Sequence, residues 1–229
     1  MKILRAWILA FRLKTLTAAV VPIATAVGLA HLQSYIIPWP LVLCLLGSAL
    51  SIQIATNLFN DAIDFKKGAD ENRIGPTRVT QSGAFTVYQV FTIAFLFCGI
   101  ALATGLPLVY HGGWPIIVIG VCSLFLAYGY TGGPYPLAYK GLGDLFVILF
   151  FGVIAVMGSH YIITNVWSVE AFLLGLQIGF LATILIAVNN LRDSDTDKLV
   201  GKRTLAVRLG DTFVKKEIIG LIGLTYILS

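Results

Sequence analysis

The chain is poor in charged residues. Asp, Glu, Lys and Arg together make up 12% of its 229 residues, whereas soluble domains carry about 25%. Hydrophobic residues make up 58%, and the mean hydropathy is +0.89. This composition excludes an ordinary soluble domain and favours a membrane protein. No low-complexity segment or long linker divides the chain, so we expect one membrane domain over residues 1–229.

The chain also has few cysteines and no clear cleavable leader. Cys44, Cys98 and Cys122 all fall inside apolar runs, so we interpret them as small buried residues and expect neither a disulfide nor a cysteine metal site. Arg12 and Lys14 interrupt the first apolar run, which lacks a processing site. We therefore expect no secretory signal peptide.

Long apolar runs are abundant instead. A bilayer core about 30 Å thick needs roughly twenty apolar residues in a helix. Six runs meet this length, near residues 16–33, 38–58, 84–106, 113–131, 142–163 and 169–191. A last run, 217–228, is too short, and we expect the chain to end inside a seventh helix. The prediction is an all-α membrane protein: a multi-pass helix bundle with six full spans and a partial seventh.

Basic residues are missing from alternate loops. All sixteen Lys and Arg residues fall in 2–14, 66–78, 140 and 192–216, on one side of a six-span bundle. Short loops rich in Lys and Arg face the cytoplasm, and aromatic residues mark the interface. The opposite side carries five interfacial aromatics: Trp39, Tyr110, Trp114, Tyr161 and Trp167. We expect a plasma membrane protein whose net charge of +5 is a cytoplasmic-face charge, with the lipid bilayer as partner and no nucleic acid.

Two acidic clusters stand at the ends of apolar runs, residues 57–64 and 189–197. If the second span continues as a helix through Asp64, then Asn57, Asp61 and Asp64 share one face. The second cluster gives a matching stripe of Asn189, Asp193 and Asp197 at spacings of four. Asp195 points about 200° away and is left out. Both clusters are predicted to face the cytoplasm.

Carboxylates at these places need a compensating charge. Asp and Asn cap helices at N-termini, but here they end helices, where the macrodipole disfavours negative charge. Capping or solvation is the alternative interpretation. Oxygen ligands without Cys or His nearby select a hard cation, and Mg²⁺ fills its shell with phosphate oxygens. The pattern predicts a Mg²⁺ site for a phosphorylated ligand, held by Asp61, Asp64, Asp193 and Asp197.

Basic residues follow both clusters and are candidates for phosphate contact. Arg73 and Arg78 follow the first cluster, and Lys202 and Arg203 follow the second. Their alternative role is to set membrane topology alone. The segment 201–204 resembles a phosphate loop only faintly, because the upstream glycine of that motif is missing. Nucleotide hydrolysis is therefore not expected.

The segments together resemble a known family. The likeness is carried by residues 12–17, 57–70, 73–78, 130–139, 141–144 and 189–210. They are similar to the UbiA-type intramembrane aromatic prenyltransferases, which carry an Asn/Asp-rich motif after the second and sixth helices. Arg73-Ile74-Gly75-Pro76-Thr77-Arg78 points to the dihydroxynaphthoate branch of menaquinone biosynthesis. The resemblance implies nine helices, so the last helices of the family are expected to be missing.

The resemblance implies a reaction. A polyprenyl diphosphate and 1,4-dihydroxy-2-naphthoate would condense with Mg²⁺, releasing pyrophosphate and carbon dioxide and giving demethylmenaquinol. Catalysis would rest on the four aspartates that hold the metal. The other implied substrate-binding residues are Asn57, Asn60, Arg73, Arg78, Lys202, Arg203, Tyr130, Tyr139, Lys140, Arg12, Lys14, Asp144 and Asn189.

Three alternatives stay open at this stage. Another branch of the family would use the same metal chemistry on hydroxybenzoate, homogentisate or a chlorophyll-type acceptor. A transporter would use intramembrane acids as ion sites, but such acids lie near the bilayer midplane. A CDP-alcohol phosphotransferase also uses Mg²⁺, yet its aspartate motif is absent from the sequence.

Overall fold

The computed structural model describes residues 2–69 and 78–228, and this part of the chain is helical. The helices are α1 (Lys2–Phe11), α2 (Leu13–Leu32), α3 (Trp39–Lys66), α4 (Val87–Gly112), α5 (Trp114–Gly129), α6 (Gly143–Thr164), α7 (Val169–Arg192), α8 (Ser194–Leu199), α9 (Leu205–Leu209) and α10 (Asp211–Ile227). A single 3₁₀ turn, Leu137–Lys140, precedes α6. The predicted all-α class is confirmed.

Five of these helices, α2, α3, α4, α6 and α7, are long and apolar enough to cross a membrane. They match five of the six predicted spans, and the protein is a multi-pass membrane protein. The predicted span at 113–131 is also an apolar helix, but α5 has 16 residues and is shorter than the others. The last run is longer than expected, because α10 begins at Asp211 and has 17 residues.

Helix ends are fixed by local chemistry. Thr86 accepts a hydrogen bond from the Gln89 backbone N–H, and the Gln89 side chain bonds back to Thr86. This capping box starts α4. Ser168 caps α7 in a similar way through the backbone N–H of Ala171. Between α1 and α2 the chain turns sharply at Arg12, which has φ 51° and ψ 61°.

Helix α3 lies at the centre of the bundle, in contact with α1, α2, α4 and α5. Leu58, Phe59 and Ala62 near its end are almost fully buried, and they pack against Ala10 of α1 and Val90 of α4. Trp7 of α1 stacks on Phe85, with 4.0 Å between ring centroids. Because α3 carries the first acidic cluster, this packing fixes the cluster at one end of the bundle.

Helices α6 and α7 approach each other closely at glycines. A Cβ on Gly152 would lie 2.3 Å from Gly175 O, and one on Gly179 would lie 2.7 Å from Ile148 O. The adjoining segment of α6, Ile148–Val153, is π-helical. Such wide turns occur often at functional sites. This contact fixes α6, which carries Asp144, against α7, which ends beside the second acidic cluster.

Candidate active site

One large cavity of about 1340 Å³ runs through the bundle. Its volume exceeds the roughly 300–1,000 Å³ of ordinary small-molecule sites. Most of the predicted site residues line one end, which we name the acidic end: Arg12, Lys14, Asn57, Asn60, Asp61, Asp64, Arg78, Tyr130, Asp144, Asn189, Asp193 and Lys202. The remainder of the lining is mainly apolar. The cavity therefore joins a polar end to a hydrocarbon-like interior.

Asp64 is held by two groups from distant parts of the chain. Arg78 Nη2 lies 2.8 Å from Asp64 Oδ2, and the Tyr139 hydroxyl donates to Asp64 Oδ1 at 2.9 Å. All three residues are buried, with Asp64 5% exposed. Helix α3 continues beyond the predicted span 38–58, through Asp64 to Lys66, so the condition under which Asn57, Asp61 and Asp64 share one face is met.

Asp61 binds the backbone on the far side of the loop. Its carboxylate accepts the backbone N–H of Val79 at 3.1 Å and that of Thr80 at 3.2 Å. The Thr80 hydroxyl also donates to Asp61 Oδ1. Asp61 is 2% exposed. The predicted metal ligand is thus also the anchor that brings Arg78 back to the acidic end.

Asn57 and Asn60 have local partners as well. Asn57 Nδ2 donates to Phe11 O at 3.0 Å and to Thr15 Oγ1 at 2.9 Å, which fixes the junction of α1 and α2. The Thr131 hydroxyl donates to Asn60 Oδ1. Both asparagines line the cavity, so they hold the helix ends around the acidic end in place.

The second cluster keeps its predicted stripe although α7 ends at Arg192. Backbone hydrogen bonds of i to i−4 type continue across the junction, from Asp193 N–H to Asn189 O at 3.0 Å and from Asp197 N–H to Asp193 O at 2.8 Å. Arg192 Nε lies 2.7 Å from Asp193 Oδ1, and Lys202 Nζ lies 3.1 Å from Asp197 Oδ1. Asp195 is exposed, in agreement with its exclusion from the stripe.

The two clusters meet around two tyrosines. Burial, with Asp64 next in effect, raises the pKa of Tyr139 far above its ordinary value. Burial also raises the pKa of Tyr130, and the charges of Asp144, Asp64 and Asp197 add to that effect. Both hydroxyls therefore stay protonated at neutral pH, so they act as hydrogen-bond donors and not as bases.

A backbone contact ties the two loops together. The backbone N–H of Arg203 donates to Tyr139 O at 3.1 Å. Gly141 has φ +71°, and a Cβ there would lie 2.9 Å from Arg203 O. Any larger residue would push the loops apart, so glycine is required at this close approach. The contact places Lys202 beside the tyrosine that binds Asp64.

Several predicted residues are not brought to the cavity wall. The side chains of Lys140 and Arg203 are exposed, and Lys140 Nζ lies 5.1 Å from the centroid of the Tyr135 ring. Tyr139 and Asp197 are buried just behind the lining residues Asp64 and Lys202. Arg73 falls outside the described residues. Tyr130 and Tyr139 belong to the site, whereas Tyr128 and Tyr135 are exposed at 39% and 61%.

The acidic end suits a metal ion that takes part of its ligands from a bound substrate. Within residues 2–69 and 78–228, no three acidic, His or Cys side chains form a ready metal cage. Asp197 Oδ2 and Asp144 Oδ1 are buried without a hydrogen-bond partner among the described residues. Burial raises the pKa of Asp197 despite the opposing charge of Lys202. Carboxylate oxygens that do not form a complete cage suit Mg²⁺, which commonly uses one or two carboxylates and substrate phosphates.

Comparison with known proteins decides the family. The sequence profile of the UbiA prenyltransferase family matches residues 19–229. The chain is 35% identical over 219 residues to the 1,4-dihydroxy-2-naphthoate octaprenyltransferase of Escherichia coli, covering 93% of this chain and 71% of that protein. It belongs to the UbiA prenyltransferase family.

Other relatives support the same family. The protein of the same name from Mycobacterium tuberculosis is 33% identical over 97% of this chain and 76% of that protein. The one from Bacillus subtilis is 34% identical over 86% of this chain and 63% of that protein. A solved structure titled a UbiA homolog from Archaeoglobus fulgidus bound to DMAPP and Mg²⁺ has the same fold. Its TM-score is 0.75 at 16% identity, covering 97% of this chain and 76% of that chain. The protein is thus a prenyltransferase of UbiA fold.

Two cations of this UbiA-family site escaped the sequence interpretation. Lys67 Nζ donates to Thr131 O at 2.9 Å and lies 3.8 Å from the centroid of the Tyr139 ring. Arg192 lines the cavity and binds Asp193 through two nitrogens at 2.7 Å each. Their proximity to the acidic clusters in sequence was the available signal. Both lie in segments that carry the family resemblance, 57–70 and 189–210, but the sequence interpretation gave neither a role in the site.

Proposed function

We propose that the chain transfers a polyprenyl group from polyprenyl diphosphate to 1,4-dihydroxy-2-naphthoate with Mg²⁺, a step of menaquinone biosynthesis. The observation that carries this proposal is the two-ended cavity, which offers acids and cations at one end and apolar walls over the rest. The relatives named for this reaction and the Arg73–Arg78 motif support the naphthoate as acceptor.

The acidic end would take the diphosphate. Mg²⁺ bound by Asp61, Asp64 and Asp193 of the lining, with Asp197 just behind them, would supply charge neutralisation for the leaving diphosphate. Arg12, Arg78 and Lys202 line the same end and provide positive charge where the C–O bond breaks. Arg78 is already oriented by its ion pair with Asp64.

Asp144 and Tyr130 would orient the acceptor. Both line the cavity, and burial together with the Asp144 charge raises the pKa of Tyr130, so the two side chains are near each other. Asp144 is 5% exposed and its Oδ1 has no hydrogen-bond partner among the described residues. That oxygen can accept a hydrogen bond from a naphthoate hydroxyl, while the protonated Tyr130 donates one.

The reaction breaks the allylic C–O bond and the C–C bond between ring and carboxylate, and it forms one C–C bond between the allylic carbon and the ring. The bond between the allylic carbon and diphosphate breaks, the allylic carbon bonds to the naphthoate ring, and the ring carboxylate leaves as carbon dioxide. Water would react with an allylic cation, so apolar walls that keep water out of the cavity protect this cation until it reacts with the acceptor. Phe146 and Phe150 line the cavity as a stacked pair with centroids 4.6 Å apart, and their faces stabilise positive charge.

The test is a prenyl-transfer assay with membranes that contain the chain. Membranes are incubated with labelled polyprenyl diphosphate, Mg²⁺ and one of three acceptors: dihydroxynaphthoate, hydroxybenzoate or homogentisate. We expect labelled product with the naphthoate alone, and none after EDTA treatment. The matched variant is Asp64→Asn, with Asp195→Asn as a control on an exposed acid. Transfer to hydroxybenzoate instead would assign another branch of the same chemistry.

A further inference from the structure

The cavity continues far beyond the acidic end. We name its remaining part the apolar limb, lined by Leu45, Ile52, Leu124, Phe150 and Ile154. On α3 the lining residues of the limb extend from Leu45 to Thr56, which at 1.5 Å per residue is about 17 Å of helix. The limb is therefore long enough to hold several isoprene units of a prenyl chain.

The apolar limb opens sideways between α4 and α5. Leu102 and Leu106 of α4 and Ile117 and Val121 of α5 all line the cavity, yet they are exposed at 57%, 67%, 47% and 62%. Exposure of about half or more in residues of the lining points to an edge where the cavity meets the exterior. Since α4 is one of the five membrane-length helices, the exterior at this edge is lipid hydrocarbon.

Two glycines keep this edge open. Gly105 and Gly120 line the cavity and lie between the exposed pairs, one on each helix. A Cβ on Gly120 would meet no atom within 4 Å, and one on Gly105 would meet only Ser48 Oγ, at 3.8 Å. Larger side chains would therefore project into empty space and narrow the opening without colliding with the bundle.

The opening is remote from the acidic end. Ser48 Oγ donates to Ala101 O at 3.2 Å, so Ser48 lies at the level of the opening on α3. Ser48 precedes Asp61 on the same helix by a separation of about 20 Å at 1.5 Å per residue. A short prenyl chain whose diphosphate sits at the acidic end stops before the opening, whereas a long one must pass through it or bend away.

We propose that the opening between α4 and α5 is the exit by which the distal end of a long polyprenyl chain reaches lipid, and that Gly105 and Gly120 determine the chain length accepted. This inference rests on the proposed prenyl transfer. A second apolar edge, where Leu13 and Val188 are exposed and line the cavity, lies beside Asn189 at the acidic end. The experiment separates the two exits.

Gly120→Leu and Gly105→Leu are compared with Gly99→Leu in membranes containing the chain. Gly99 is on α4, is exposed, has no atom within 4 Å of a built Cβ, and is not part of the described cavity lining. Each membrane preparation is assayed with geranyl and with octaprenyl diphosphate. Replacing glycine by leucine raises helix propensity, so loss of the fold is not the expected effect.

With Gly120→Leu or Gly105→Leu we expect kcat/KM for octaprenyl diphosphate to fall by at least about tenfold, the size of discrimination that hydrophobic pockets achieve over a few carbons. Turnover of geranyl diphosphate should stay at the level of the Gly99→Leu control. Equal effects on both donors, or no effect on the long donor, would overturn the exit and favour the edge at Leu13 and Val188. Wild-type membranes that transfer neither donor would instead refute the proposed function.

Discussion

The Tyr139 hydroxyl donates a hydrogen bond to Asp64 Oδ1 at 2.9 Å, across 75 positions of the chain. The same tyrosine is bound through its carbonyl oxygen by the Arg203 backbone N–H, and its ring lies 3.8 Å from Lys67 Nζ. One residue therefore connects the end of α3, the turn before α6 and the loop after α8. The two acidic clusters depend on this connection for their relative position.

Replacing Tyr139 by Phe should loosen the acidic end without creating a cavity. The lost hydrogen bond to a carboxylate is worth about 1.5–3 kcal/mol. We expect a lower free energy of unfolding and a weaker apparent affinity for Mg²⁺ in the transfer assay.

The pH dependence of that variant is informative. Because the folded pKa of Tyr139 is raised, its stabilising contribution is present below the unfolded pKa of about 10 and is lost as pH rises above it. The difference in unfolding free energy between wild type and Tyr139→Phe should therefore shrink above that pH. A difference that grows at high pH would contradict a buried, protonated hydroxyl.

The Asp61→Asn and Asp193→Asn variants should lose transfer activity for different reasons. Asparagine offers one acceptor oxygen, so Asp61→Asn weakens the bonds to Val79 and Thr80 and costs about 1–3 kcal/mol of stability. Asp193 pairs with Arg192 at a partly exposed site, where its loss costs little stability. We expect both variants to lose transfer.

Manganese binding followed by electron paramagnetic resonance, together with thermal unfolding, separates the two roles. Asp193→Asn should lose bound Mn²⁺ at unchanged melting temperature, and Asp61→Asn should lower the melting temperature. The metal assignment for Asp193 fails if this variant binds Mn²⁺ as tightly as wild type.

The Arg78–Asp64 pair lends itself to a double-mutant cycle. Breaking a buried ion pair by removing one partner costs about 3–5 kcal/mol, because the other charge is left buried. We expect each single variant, Arg78→Met or Asp64→Asn, to lose more than half of the unfolding free energy that the double variant loses. Chemical denaturation in detergent micelles gives the three values. Strictly additive losses would show that the 2.8 Å contact carries no coupling.

The orientation in the membrane remains a prediction from charge, and it can be measured. Ile36, between α2 and α3, and Tyr110, near the end of α4, are exposed at 93% and 95% on the side that lacks Lys and Arg, whereas Lys198 is exposed at the acidic end. Single cysteines at these positions, in a background without Cys44, Cys98 and Cys122, are labelled in intact cells with an impermeant maleimide. We expect labelling at positions 36 and 110 and protection at position 198. The reverse pattern would place the acidic end outside the cytoplasm.

Sequence periodicity was informative about single helices. It located the apolar runs and separated Asp195 from Asp193 and Asp197, because each of these depends on neighbours within one or two turns. It missed the anchor role of Asp61, whose partners Val79 and Thr80 lie across a loop. It also missed Lys67, since a lysine at a helix end has the same pattern whether it faces water or a tyrosine ring.

The sequence by itself determined that this is a helical membrane protein, where its apolar runs lie and which acidic and basic residues are available for chemistry. Hydropathy and charge placement are local properties of the chain, so they can be read without the fold. The tertiary structure decided which of those residues share a cavity, which carboxylate oxygens are left without partners, and where the cavity opens between α4 and α5. These features arise where helices distant in sequence pack together, and their geometry depends on contacts such as Gly152 against Gly175 that no local pattern specifies.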